Sequence, residues 1–259
     1  MRMILRSLTQ HLKDQNWFAV GLDFAIVVIG VFIGIQVSNW NENRADIARA
    51  NGYLVRLEAD LTADAENIAA RQEFFSSVMN YGAQALSYAE SDDTERKADW
   101  PAVLAFFQAS QIFTYYRYDA TYDELKNAGE LNLITNQDLR AALANYFVVA
   151  SGSQENIFSF NPQYRETVRG LTPSVITDHI WENCHNNAGS LQAQWLLDCD
   201  SPISKTEAEQ VLNGYLADPN LLKQLRFWMS TLSTTNNLLE IARKNTESLR
   251  EQIGAELSN

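Results

Sequence analysis

Two kinds of hydrophobic pattern divide this chain. From Trp17 to Val37 apolar residues follow one another without a polar face, and Asp23 is the only ionisable group among them. A helix rises about 1.5 Å per residue, so about 20 such residues cross a hydrocarbon core of about 30 Å. Trp17 and Trp40 are separated by roughly 35 Å on such a helix, which suits two interfacial anchors. The run is longer than the apolar region of a cleaved signal peptide, and the nearest A-x-A pattern, Ala48-Arg49-Ala50, lies well beyond it. The pattern therefore predicts an uncleaved signal anchor, with residues 1–16 as a cytoplasmic tail, 17–38 as the transmembrane helix and 39–259 as an extracytoplasmic helical domain.

Beyond the run the pattern becomes periodic. Leu54, Leu61, Ile68 and Phe75 recur every seven residues, with Leu57 and Val78 on the neighbouring seam and Asp64 and Arg71 interrupting it. Leu225, Leu232, Leu239 and Ile253 repeat in the same way near the other end, Thr246 being the polar exception. Trp228, Ala242 and Leu249 accompany them. Two such stripes predict long first and last helices packed antiparallel, with Gly52 as a candidate break in the first. Between them lie shorter helices marked by local signals: Asp99 with Pro101, Thr121 with Glu124, Gly129, Asn136, Asn161–Pro162, Thr172–Pro173, and Ser204 with Glu207; Asp218 caps the last long helix, with Pro219 in its first turn. The expected fold is all-α: one transmembrane helix continuing into a helical bundle.

Charge fixes some partners. The net charge of −12 disfavours nucleic acid, whose phosphates an acidic surface repels. Arg2, Arg6 and Lys13 precede the apolar run and favour a cytoplasmic N-terminus. Within the run, Gly30, Gly34 and Ser38 share one face, the small-residue spacing that lets membrane helices approach closely. That face, with Asp23 as a polar contact, is a candidate surface for self-association or for a membrane-protein partner, in addition to the lipid bilayer.

Cys184 and Cys199 are the only cysteines. Outside the cytoplasm they would form a disulfide; free thiols, or a metal site with His179 and His185, are the alternatives, although the spacing matches no familiar zinc pattern. No G-x-S-x-G, H-E-x-x-H, phosphate-loop or dinucleotide glycine motif occurs, and no enzymatic activity, cofactor or metal is expected. The aromatic cluster from Phe106 to Tyr122 reads as core. Arg117 within it, flanked by Tyr116 and Tyr118, is the candidate ligand contact.

Two stretches carry a family resemblance. Asp23-Phe-Ala-Ile-Val-Val-Ile-Gly30 through Gln36 and Asn39-Trp40-Asn41-Glu42, then Thr121-Tyr-Asp-Glu-Leu125 with Gly129, Leu133, Ile134, Leu139-Arg140 and Tyr146, are similar to a bacterial family known as domain of unknown function 6090. The resemblance implies a single-pass inner-membrane protein with a periplasmic helical domain, and implies no activity. The expected function is a sensory or interaction module that binds a protein partner or small ligand. A structural or assembly factor of an envelope complex is the alternative.

Overall fold

The structure, a computed structural model, describes residues 17–92, 96–149, 161–187 and 193–258, without the side chains of residues 17–20 and 149. The tail assigned to residues 1–16 lies outside the described residues. Helix α1 runs Trp17–Glu90, α2 Trp100–Gln108, α3 Ala120–Asn127, α4 Gln137–Ala144, α5 Gln163–Leu171, α6 Ser174–Asn183, α7 Lys205–Ala217 and α8 Leu221–Leu257. A two-residue hairpin, β1 His185–Asn186 with β2 Trp195–Leu196, pairs antiparallel. The fold is all-α, as the periodicity implies. Helix α1 passes through Gly52 without a break.

The chain divides into two compact units, one ending at Gly52 and one beginning at Tyr53. In the first unit the side chains of Leu22, Phe24, Ile26, Val27, Val28, Ile29 and the apolar residues that follow to Val37 are exposed on every side of the helix. This helix is long and apolar enough to cross a membrane.

In the second unit α1 and α8 run antiparallel. Glu90 pairs with Arg226 at 2.8 Å, Gln72 meets Glu240, and Leu57 and Leu61 share a core with Leu249 and Ile253, so one helix's numbers climb as the other's fall. Gly82 marks a close approach: a Cβ there would lie 2.1 Å from Met229 Sδ. The predicted stripes are buried throughout, and Thr246, the polar exception, is fully buried. A second core joins α1, α2, α5, α6, α7 and α8 around Phe106, Phe107, Tyr164, Tyr215 and Trp228.

Local signals hold where partner and cap lie within a few residues. Asn136 accepts from the Asp138 and Leu139 N–H groups, Ser204 and Glu207 form a reciprocal capping box, and Gly129 takes φ +71° to end α3. Thr121 differs. Helix α3 begins before it, and its backbone N–H donates instead to Asp60 of α1 at 3.2 Å. Glu124 binds Arg56 through two hydrogen bonds of 2.7 and 3.0 Å rather than closing a capping box. Asp218 accepts from the Asn220 and Leu221 N–H groups, so it serves the start of α8 from outside the helix, and Pro219 also lies outside.

Candidate functional site

The residues named from sequence fall into three places. In the first unit, Gly30, Gly34 and Ser38 lie on exposed helix surface, and a Cβ added at either glycine meets nothing within 4 Å. Asp23 is exposed. Trp40 is exposed with the Arg44 guanidinium 5.2 Å from its ring, and Trp17 opens the helix, its side chain outside the description.

The second place is the irregular strap between α2 and α3, which carries Tyr116, Arg117 and Tyr118. A strap without regular structure must satisfy its backbone groups elsewhere. Helix α1 does this with polar side chains set into its apolar seam. Asn67 Nδ2 donates to Tyr116 O at 2.7 Å, and Arg71 donates to Thr114 O at 2.8 and 3.2 Å while its guanidinium lies 3.6 Å from the Phe113 ring. Burial lowers the Arg71 pKa to about 10, which leaves it charged at neutral pH.

Asp64 is the centre of this arrangement and is fully buried. Tyr115 donates to its Oδ1 at 2.7 Å, and Tyr146 donates to its Oδ2. Tyr146 also contacts the Thr246 hydroxyl at 2.9 Å, which ties α8 into the network. Burial raises the Asp64 pKa, opposed by the hydrogen bonds from Tyr146 and Tyr115 and by the charge of Arg117. The same desolvation raises both tyrosines well above their ordinary range. These groups hold each other neutral or paired, which suits a buried lock rather than proton exchange with solvent.

The three candidate contacts do not converge. The Arg117 side chain is 3% exposed, faces Asp64 at 4.0 Å and donates to Tyr146 O at 2.6 Å. Tyr116 is 73% exposed. Tyr118 is half-buried, and its backbone hydrogen-bonds Asp64.

The third place is the hairpin. Cys184 and Cys199 form a disulfide with Cα atoms 5.2 Å apart. His179 lies close enough to have joined them as a metal ligand, but sulfurs bonded to one another present no thiolate. His179 Nε2 meets Asp200 O at 2.8 Å, and His185 meets Gln194.

One group was not singled out from sequence. On α5, Arg165 donates to Ser110 O at 2.8 Å. Arg169 donates to Ser110 Oγ at 3.2 Å and to Gln111 Oε1 at 2.9 Å. The Arg169 guanidinium lies 4.9 Å from the Phe107 ring and 5.3 Å from that of Trp181. Burial lowers Arg165 to about 10; burial and then the neighbouring Arg165 lower Arg169 to about 9, and no carboxylate of the described residues opposes either shift. The R-x-x-x-R spacing was visible in the sequence, but the strap and Trp181 that surround it come from distant positions. A separate cleft of about 590 Å³ borders Asn161, Tyr164, Lys223, Gln224 and Phe227.

No curated protein and no solved structure matches the chain. Residues 23–151 match a family whose only description is a family of unknown function. That stretch takes in the apolar run from Asp23 onward, Asp64, Asn67, Arg71, the strap and Tyr146, so the lock except for Thr246 lies inside the matched region, whereas Arg165, Arg169 and the disulfide lie beyond it. The chain belongs to the family of unknown function DUF6090.

Proposed function

We propose that this is a single-pass inner-membrane protein with its N-terminus in the cytoplasm, whose unit from Tyr53 onward stands in the periplasm and binds a protein partner or small ligand as a sensory or interaction module without catalysing a reaction. The observation that carries the reading is the belt of large apolar side chains exposed on every side of α1 from Leu22 to Val37. Water does not tolerate such a surface on an isolated helix, and lipid does. The disulfide supports an oxidising compartment for the second unit.

Carbonate extraction at high pH tests the anchor: the full chain should stay with the membrane pellet, and release into the supernatant would refute it. Alkaline phosphatase fused after the last residue should be active, because that enzyme folds only outside the cytoplasm; an inactive fusion that is expressed would reverse the orientation.

The open Gly30/Gly34/Ser38 face favours a second reading, a structural or assembly factor that docks through its membrane helix. Gly30→Leu with Gly34→Leu should abolish helix association in a membrane dimerisation reporter, and an unchanged signal removes this reading.

A further inference from the structure

Among the described residues many arginines are engaged by acids or by backbone. Arg49 pairs with Asp46, Arg56 with Glu124, Arg226 with Glu90, and Arg243 with Glu240 and Glu247. Arg117 faces Asp64, and Arg71 is spent on strap carbonyls. Arg165 and Arg169 form a pair with no acid partner among the described residues. They stand one turn apart on α5, each half-buried, with Arg165 close enough to raise the cost of charge on Arg169, and among the described residues no carboxylate is bonded to either. Two partly desolvated like charges without a counterion form an unfavourable arrangement that a bound anion would relieve.

The arginine pair keeps hydrogen-bond capacity for one. Each guanidinium carries five N–H donors. Arg165 commits a single nitrogen, Nη1, to Ser110 O, and Arg169 commits Nε and Nη2. None of the remaining nitrogens is a buried atom left without a partner among the described residues. Arg169 is also held in orientation between the Phe107 and Trp181 rings, which limits the ordering cost of binding. Trp181 is 39% exposed and supplies an aromatic surface beside the charge.

We propose that Arg165 and Arg169, braced by Ser110 and Gln111 and bordered by the exposed ring of Trp181, form a binding site for a small organic monocarboxylate. The guanidinium fork matches the planar carboxylate. The ring offers contact to an apolar body attached to it. A net charge of −12 sets the surrounding field against polyanions and favours a ligand with one negative charge. The site rests on the reading that the second unit binds a small ligand, and it names that ligand's chemical class.

The test uses the full chain in nonionic detergent micelles at pH 7 with sodium benzoate as probe and sodium phosphate and sodium chloride at equal ionic strength as comparators. Benzoate should bind saturably by calorimetry and raise the thermal midpoint above that in chloride. Arg165→Gln and Arg169→Gln should each weaken benzoate about tenfold or more, the loss expected for one charge-assisted contact. Three results would overturn the site: benzoate no different from chloride with the wild-type chain, a natively folded double variant that binds benzoate with unchanged affinity, or phosphate binding more tightly than benzoate through the same arginines. The wild-type thermal shift needs no variant to fold. A chain that washes off membranes yet binds benzoate would lose its address and keep this site, and a chain that stays in the membrane but ignores benzoate would do the reverse.

Discussion

Helix α1 contains two stretches made from the same apolar residues and solvated in opposite ways. From Leu22 to Val37 every face is apolar and every large apolar side chain is exposed. From Tyr53 to Ala89 the apolar residues that recur at helical spacing are buried against other helices, while Val55, off that stripe, is exposed. The distinguishing feature is arrangement, not hydrophobic content. A helix apolar all round has no face left for water and suits lipid, whereas a stripe suits a protein neighbour. Polar residues follow the same division. Asp23 stands on open surface in the first stretch. Asp64, Asn67 and Arg71 are buried in the second, where tyrosines and strap carbonyls meet them.

The sharpest way to break this comparison is to remove an acid from each stretch. Asp64→Ala should destabilise the second unit by about 3–5 kcal/mol, because Arg117 and two tyrosine hydroxyls lose their buried partner. Asp23→Ala should leave that unfolding transition unchanged. Urea unfolding of the full chain in micelles, followed by tryptophan fluorescence, measures both. Adding Tyr115→Phe and Tyr146→Phe to Asp64→Ala should recover part of the loss, since removing all partners costs less than orphaning some. A transition in Asp64→Ala equal to wild type would show that the lock is not structural.

An apolar pair extends the test. Leu61→Ala opens a void in a fully buried position and should cost about 2–5 kcal/mol by the same measurement. Ile29→Ala, on the exposed belt, should not move it. Equal losses would mean that the belt packs within the protein instead of facing lipid.

The contrast between stretches was legible in the sequence because periodicity is local. The seven-residue spacing of Leu54, Leu61, Ile68 and Phe75 and the unbroken run after Trp17 each state their environment within a few turns. Asn136, Gly129 and the Ser204–Glu207 box were legible for the same reason. Asp64 and Arg71 were visible only as interruptions, since their partners sit on the strap and at Tyr146, just beyond α4. Thr121 misled because Asp60, far earlier in the chain, took the N–H that a local capping box would have used. Arg117 was visible as a cation among tyrosines, but its direction depends on Asp64 and Tyr146. Arg165 and Arg169 show the same limit, their spacing being local and their surroundings distant.

Glycines sharpen the comparison further. Gly30 and Gly82 stand in one helix, and alanine gains helix propensity of about 1 kcal/mol at either. At Gly82 the new Cβ meets Met229 Sδ at 2.1 Å, and overpacking of that kind costs about 1–3 kcal/mol. Gly82→Ala should therefore lower stability by about 1 kcal/mol net, and Met229→Ala in the same chain should reverse the sign of the Gly82→Ala effect. Gly30→Ala, with open space around it, should leave the second unit's stability unchanged. A double-mutant cycle on Gly82 and Met229 that shows no coupling would place the α1–α8 contact elsewhere.

The smallest effect is a slope with pH. Burial raises the folded pKa of Asp64 above its unfolded value, so between those two values the folded chain holds a proton that the unfolded chain has released. Its contribution is fully present below the unfolded value of about 4 and is lost as pH rises through the folded pKa. Glu240 acts in the opposite sense: hydrogen bonding from Arg243 holds it down to about 2, so its contribution is present above its ordinary value and fades as pH falls toward 2. That carboxylate is partly exposed, so solvent and salt screen the effect. The two are separated by measuring urea midpoints from pH 4 to 7 for the wild-type chain and Asp64→Asn. The stability difference between wild type and variant should shrink as pH rises, because the asparagine cannot titrate while Asp64 loses its proton. A difference that grows with pH would mean that the tyrosine hydrogen bonds and Arg117 outweigh burial, and that the buried half of α1 carries a carboxylate ion, not a neutral acid.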